Sequence, residues 1–368
     1  MNELTTLKKI CEEFKFEGVL TECSPYGEGH INDTFLTVCE DKYEEKRRYI
    51  LQRVNHLIFK ETEQLMSNIE NITFYLSDMV REAEIEEGFE VLKLIKTKND
   101  NSFYKDAEGN YWRSYAFIEN ATGHTFAKDN DMLYSAGKAF GQFQLMLKDY
   151  PVDSLYETIK GFHHTENRYK IFLEVLEKDV HSRSKYCLDD IRFVKDHKTI
   201  TTMILEALEQ GEIPYRVTHN DTKLNNVLID NESGIGRCVI DLDTVMPGSA
   251  LYDFGDAIRS CGSTVAEDEE NLELLKFDID RFDAYSKGFL EVLNHELTKK
   301  EIELLPYSAI IMTLECGMRF LTDFLDGDNY FKVHKENHNL IRAKNQFRFI
   351  KEMENNLEVM KDIINRYC

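Results

Sequence analysis

The sequence predicts an α+β protein of two lobes, β-rich at the N-terminus and mainly helical at the C-terminus. Three observations lead there. Strand-like segments bounded by turn residues crowd into the first third: Val19 to Pro25, Asp33 to Glu40, Arg48 to Val54, Phe89 to Thr97 and Tyr111 to Ile118. Helical periodicity fills most of the chain after Asp129. A loop rich in Asn and Asp, followed by two short strands, interrupts that helical half between residues 219 and 241. The expected division is residues 1–118, a connector at 119–123 (Glu119-Asn120-Ala121-Thr122-Gly123), and residues 124–368.

The elements follow in order. The first eighteen residues set Leu4, Leu7 and Ile10 among Lys and Glu, an amphipathic helix start rather than a signal peptide. Gly27-Glu28-Gly29-His30-Ile31-Asn32 separates the first two strands, where Gly27 and Gly29 would let backbone N–H groups approach an anion. Read alone, with the third glycine of a phosphate loop missing, this segment is better taken as an ordinary hairpin. The third strand carries Arg53, either a phosphate-pairing cation or a surface residue at a strand edge. A helix from about Lys60 to Ala83 aligns Leu65, Ile69, Ile72 and Leu76 on one face. Its Glu63 or Glu70 is placed to orient the strand cation.

Composition sets limits. A chain of 368 residues can bury a large core, in one domain or two lobes. Its net charge of −22, with no offsetting basic patch, argues against nucleic-acid and anionic-membrane partners. No apolar run approaches membrane-spanning length. The eight cysteines form no Cys-x-x-Cys pairs and read as reduced thiols, which points to the cytoplasm. His334 and His338 lie one helical turn apart and read as a solvated helix face.

The strongest signal is His219-Asn220-Asp221-Thr222-Lys223-Leu224-Asn225-Asn226, with Ile240-Asp241-Leu242-Asp243 shortly after. The first stretch has the form His-x-Asp-x-x-x-x-Asn of a kinase catalytic loop. Phosphoryl transfer asks a protein to position a hydroxyl, accept its proton and neutralise phosphate charge through metal. Asp221 suits the proton acceptor, while Asn226 and Asp241 supply hard oxygen donors of the kind Mg²⁺ takes. Asn and Asp also cluster in ordinary loops. Here the flanks favour chemistry, because Asn226 to Asp230 and Arg237 to Asp241 read as a hairpin that delivers an acid at its far end. The whole order is that of a bilobal protein-kinase-like fold, with nucleotide expected between the lobes and its adenine edge met by the connector, Glu119 included.

Further strings carry a family resemblance. They are Gly29 to Phe35, Leu51 to His56, Trp112 to Glu119, Asp241 to Gly248, Tyr252 to Arg259 and Arg319 to Asp323. With the catalytic loop, they resemble the aminoglycoside phosphotransferase-like small-molecule kinases over nearly the whole chain, and most of all the N-acetylhexosamine 1-kinases. That resemblance implies ATP and Mg²⁺ as cofactors and a sugar as acceptor. It makes Asp221 the base and Asn226 and Asp241 metal ligands, with Asp243 adding a ligand or an outer contact. His219 and Asp253 would support the catalytic loop, and Asn32, Arg319 and Tyr330 match sugar-contacting positions. Arg319 could instead pair with Glu315 or Asp323, one turn away on either side. Where protein kinases carry His-Arg-Asp, this chain has Asn220 in the middle position, and no Ala-Pro-Glu segment follows, so a peptide substrate is not expected. Other small alcohols remain open: choline, homoserine, an aminoglycoside or another sugar. Arg259 and Arg319 suit a neutral or anionic acceptor better than a polycation. A nucleotide-binding protein without turnover is the reading from another class, and the complete Asp221, Asn226, Asp241 set argues against it.

Overall fold

The computed structural model describes residues 3–27, 31–82 and 88–368. The chain forms two compact units. Unit 1 comprises Met1–Ala121, Asp153–Ile159 and Arg237–Met246, and unit 2 comprises Thr122–Val152, Lys160–Gly236 and Pro247–Cys368. Sheet dominates the N-terminal part and helix the C-terminal part, the α+β class that the sequence predicts.

Unit 1 is built on a five-stranded antiparallel sheet of order β1-β2-β3-β5-β4. Its strands are β1 (Val19–Pro25), β2 (Asp33–Glu40), β3 (Lys46–Val54), β4 (Tyr104–Lys105) and β5 (Tyr111–Ala116). Phe35, Leu51 and Trp112 from three strands bury with Leu7, Ile10 and Cys11 of helix α1 (Glu3–Cys11). Helix α2 (Thr62–Glu82) buries the expected stripe of Leu65, Ile69, Ile72 and Leu76. The expected strand at Phe89–Thr97 reduces to isolated bridges, Leu94 to Tyr115 and Thr97 to Phe14. Two backbone bonds tie it to β5, from Ile95 to Ser114 and from Ala116 to Lys93. Conversely, the expected polar turn at 98–110 contains the short strand β4.

Unit 1 is discontinuous, where a single boundary near residue 118 was expected. Asn68 on α2, buried at 1% exposure, gives the physical reason. Its amide donates to the carbonyls of Tyr156 at 2.7 Å and Val245 at 3.2 Å, and its oxygen accepts from the Tyr156 N–H at 3.0 Å. One buried side chain thereby holds both returning segments by their backbones.

Short strands β6 (Ala121–Gly123), β7 (Arg216–Thr218), β8 (Val227–Asp230), β9 (Gly236–Val239) and β10 (Met246–Gly248) interrupt the helical part. The helices are α3 (Asn130–Met146), α4 (Thr165–Lys178), α5 (Leu188–Asp196), α6 (Met203–Glu209), α7 (Ala250–Cys261), α8 (Ile279–Leu293), α9 (Lys299–Leu325), α10 (His338–Asn355) and α11 (Leu357–Tyr367). Helices α3 and α8 pack backbone to backbone because glycine faces glycine-sized space. A Cβ at Gly137 would stand 2.3 Å from the Tyr285 carbonyl oxygen, and one at Gly288 would stand 2.0 Å from that of Tyr134. Helix α9 corrects the expectation that no run reaches membrane-spanning length. Its mean hydropathy reaches 1.2 over an 18-residue window, but 83% of that window is buried inside the protein, as befits a core helix. His334 precedes α10 and does not share a helical face with His338. Its N–H donates to His338 Nδ1 at 3.2 Å.

Candidate active site

The catalytic loop lies in unit 2 and is fixed by two acids of helix α7. Strand β7 delivers His219, whose side chain is fully buried. Asn220 then turns through φ 63°, a left-handed conformation that Asn tolerates better than most residues. The Asp253 carboxylate, also fully buried, accepts the N–H groups of His219 at 2.9 Å and Asn220 at 2.7 Å, and the Gln144 amide at 2.6 Å. One turn on, Asp256 accepts the Thr222 N–H at 3.0 Å, and the Thr222 hydroxyl donates to the Asp253 carbonyl. Three loop N–H groups on either side of Asp221 are therefore held by carboxylates rather than by water. A small change in α7 would re-aim the whole loop.

Asp221 sits partly buried at the centre. Asn226 donates through Nδ2 to the Asp221 carbonyl at 2.7 Å and to its carboxylate at 3.1 Å. That leaves the Asn226 amide oxygen as its coordinating atom. Lys223 Nζ stands 3.0 Å from Asp221 Oδ2, and the Asp221 N–H donates to His219 Nδ1 at 3.3 Å. Burial works against charge on Asp221, but Lys223, His219 and Arg259 outweigh it and hold its carboxyl below the ordinary carboxylate range. Asp221 is thus ionised at neutral pH and able to accept a hydrogen bond from a hydroxyl. In Asp253 the balance is reversed, and burial pushes its carboxyl up despite the donors around it.

Unit 1 has a polar cluster of its own. Asp243, 3% exposed, is ion-paired with the buried Arg113 of β5, and Asn32 Nδ2 donates to its other oxygen at 2.7 Å. Arg113 Nε donates to Gln52 at 3.0 Å, and Gln52 in turn donates to the Thr34 hydroxyl at 3.1 Å. Asn32 accepts the Asn55 N–H at 2.9 Å. Asp243 and Asn32 therefore bond to each other and to the sheet, where Asp243 was expected as a ligand or an outer contact and Asn32 as a sugar contact. Asp241, two residues earlier, is exposed and adopts φ 61° at the start of the 3₁₀ turn Leu242–Thr244. A non-glycine residue held in that region costs free energy, and such positions cluster at functional sites.

The expected nucleotide residues fall unevenly. Arg53 is exposed on β3 and donates from Nε to Asp33 at 2.8 Å. The buried cation of the sheet is Arg113, which faces Gln52 across the β3–β5 register. Glu70 of α2 does meet a cation, but that cation is Lys96. Glu119 pairs with Arg48 at the surface. Gly27 has φ 77°, and among the described residues no atom lies within 4 Å of where its side chain would stand. Gly29 lies outside the described residues.

Arg319 of α9 has a different setting. Its guanidinium lies 5.7, 5.8 and 5.4 Å from the ring centres of Phe162, Tyr330 and Phe331. Neither expected partner pairs with it. Glu315 is taken by His163 Nδ1 at 2.8 Å and the Thr165 hydroxyl at 2.6 Å. Asp323 accepts the N–H groups of Asn329, Tyr330 and Phe331 and the Asn339 amide. Tyr330 is 64% exposed. His163 also reaches the catalytic loop, with Nε2 at 3.0 Å from the Asn220 carbonyl. Lys223, Arg113, Asp256 and His163 were not assigned roles from sequence. Lys223 lies inside the catalytic motif, and Arg113 and Asp256 lie inside strings that carry the family resemblance, whereas His163 lies in none of them.

The fold is that of the small-molecule kinases. The chain superposes on a microcompartment-associated aminopropanol kinase (12% identity, 98% of this chain and 99% of that one, TM-score 0.57). It also matches choline kinase from Cryptosporidium parvum Iowa II (14%, 99% of each chain, TM-score 0.59). A third match is the amicoumacin kinase hAmiN in complex with AMP-PNP, Ca²⁺ and Ami (13%, 97% and 94%, TM-score 0.59). The model of the phosphotransferase enzyme family, APH, matches residues 22–285, and the chain belongs to that family.

Proposed function

We propose that this protein is an ATP-dependent kinase of small-molecule alcohols, and that its acceptor is the anomeric C1 hydroxyl of an N-acetylhexosamine. The ionised Asp221, pinned by its neighbours' backbone bonds and flanked by Lys223, carries the first half of this reading. Asp221 orients the acceptor hydroxyl and takes its proton as the acceptor oxygen bonds to the γ-phosphorus. The bond from that phosphorus to the bridging oxygen breaks, and ADP leaves. Lys223 offsets charge on the phosphoryl oxygens and keeps Asp221 deprotonated until the proton arrives. A bound Mg²⁺ would neutralise the nucleotide phosphates, and Asn226 and Asp241 are the oxygen donors suited to it. Among the described residues, no group of three or more His, Cys, Asp or Glu side chains gathers to hold a metal. That fits a cation that takes much of its coordination from phosphate and water. The AMP-PNP and Ca²⁺ bound by the similarly folded amicoumacin kinase support the nucleotide and the divalent cation. Eight free thiols support a cytoplasmic setting.

The sugar half rests on the Gly-His-Ile-Asn-Asp and His-Asn-Asp-Thr-Lys-Leu-Asn-Asn strings, and on Arg319 beside the exposed face of Tyr330. The test is ADP release over a panel of sugars and alcohols, with ³¹P spectra of the products. N-acetylglucosamine or N-acetylgalactosamine should turn over while their 1-O-methyl glycosides do not, because the methylated C1 oxygen has no proton to give. Turnover of the glycosides would refute anomeric transfer. Tight nucleotide binding without ADP release on any acceptor would favour a binding protein.

A further inference from the structure

Two arginines of unit 2, Arg168 and Arg319, stand together without an ion-paired carboxylate among the described residues. The chain holds 67 acidic and 45 basic side chains, so a cation left unpaired is unusual in it. Among the described residues, neither Arg319 of α9 nor Arg168 of α4 has an acid within the 4.0 Å of an ion pair. The cause is local. Glu315 and Asp323, one turn either side of Arg319, have both oxygens occupied by other donors. Arg168 donates from Nη2 to the Phe162 carbonyl at 3.2 Å, while its Nε is buried with no hydrogen-bond partner. Burial and then the charge of Arg319 hold Arg168 below its ordinary value, against the opposing charge of Glu315. Phe162 links them, offering its carbonyl to Arg168 and its ring to Arg319. Next to it, His163 bonds the Asn220 carbonyl, one residue from Asp221.

We infer that Arg168 and Arg319 form an anion-binding subsite, and that the preferred acceptor carries a phosphate, sulfate or carboxylate group besides the hydroxyl that is phosphorylated. A buried Nε–H without a partner is costly, and an oxyanion bound at this pair supplies a charge-assisted acceptor. The same pair disfavours a polycationic acceptor, and a neutral one brings no opposite charge to Arg168 and Arg319. This inference rests on the kinase reading above and on the acceptor reaching Arg319. It adds Arg168 as a specificity-determining residue.

The experiment compares kcat/KM of the full-length protein for N-acetylglucosamine, its 6-phosphate, its 6-sulfate, its 3-O-lactyl ether, and glycerate. At least one anionic acceptor should exceed the neutral sugar by tenfold or more. Arg168→Gln and Arg319→Gln should each abolish that preference, and Arg168→Lys should restore part of it, a pattern that loss of packing alone would not give. Inorganic sulfate should raise the melting temperature of the wild type and of neither glutamine variant, whichever acceptor is correct. A neutral sugar used as well as every anion, or a preference that survives both substitutions, would overturn the subsite and leave the hexosamine reading standing. Turnover of glycerate but of no sugar would sustain the subsite and remove the hexosamine. Absence of both an anion preference and a sulfate shift would also overturn it.

Discussion

Asp221 in unit 2 and Asp243 in unit 1 are both carboxylates beside a cation, yet their surroundings give them opposite character. Asp243 is locked: Arg113 and Asn32 occupy its two oxygens, and its exposure is 3%. Asp221 is merely steadied, since the acids of α7 hold the backbone around it while its own carboxylate meets only Lys223 and the Asn226 amide among the bonds described. A saturated acid holds structure together, and an acid held by its backbone is poised to meet a substrate. The distinction separates function from stability, and substitutions can test it.

The largest effects should come from the poised acids. Asp221→Asn should cut kcat by about 10²–10⁴, the usual contribution of a positioned general base. Nucleotide binding and the melting temperature should hardly change. Wild-type turnover in that variant would remove Asp221 from the mechanism. Asp241→Ala should abolish Mg²⁺-dependent nucleotide binding along with turnover, which calorimetry with and without Mg²⁺ can follow. An unchanged Mg·ATP affinity would shift the metal role elsewhere.

Asp243→Ala should act on stability instead. Removing one partner of a buried pair leaves the other charge uncompensated, at a cost of about 3–5 kcal/mol. Denaturant unfolding of the Asp243→Ala and Asp221→Asn variants side by side makes the contrast visible. If Asp243→Ala melted like the wild type yet lost metal-dependent binding, Asp243 would be a ligand and the comparison would collapse.

Much of this arrangement is legible in the sequence, and the limits have physical causes. Strands β1 and β2 fall where expected because their apolar residues end at turn formers. The catalytic motif is readable because its spacing is local, with eight residues carrying the base, the amide and Lys223. Which strand arginine turns inward is not local. Arg53 and Arg113 both sit on strands, and only the register, Gln52 against Arg113 and Arg53 against Trp112, decides that Arg113 meets Asp243. The strand expected at Phe89–Thr97 fails similarly, since apolar residues without a full run of partner bonds make only bridges. Arg319 shows a third limit. Its i±4 spacing to Glu315 and Asp323 favours ion pairs, but backbone N–H groups from residues 329–331 and the His163 side chain claim those acids first. Helical spacing gives proximity and says nothing of competitors.

The smallest expected effect concerns Lys223 and is read in pH rather than in rate. Burial alone would raise the Asp221 carboxyl, and the charges of Lys223, His219 and Arg259 lower it below its ordinary value. Asp221 must be ionised to accept a proton, so activity should persist as pH falls and disappear only through that lowered value. In the wild type, kcat/KM should therefore be insensitive to this group between about pH 5 and 7, above the ordinary Asp value of about 3.9. Lys223→Met keeps the side-chain length but removes the largest of the lowering influences. Burial then gains ground, and the acid limb of the profile should move to higher pH. At pH 7, well above the limb, the variant should differ from the wild type only by the missing charge near the phosphoryl group. An acid limb at the same pH in both proteins would mean that Lys223 does not set the ionisation of Asp221, and that the poise of this carboxylate comes from His219 and Arg259.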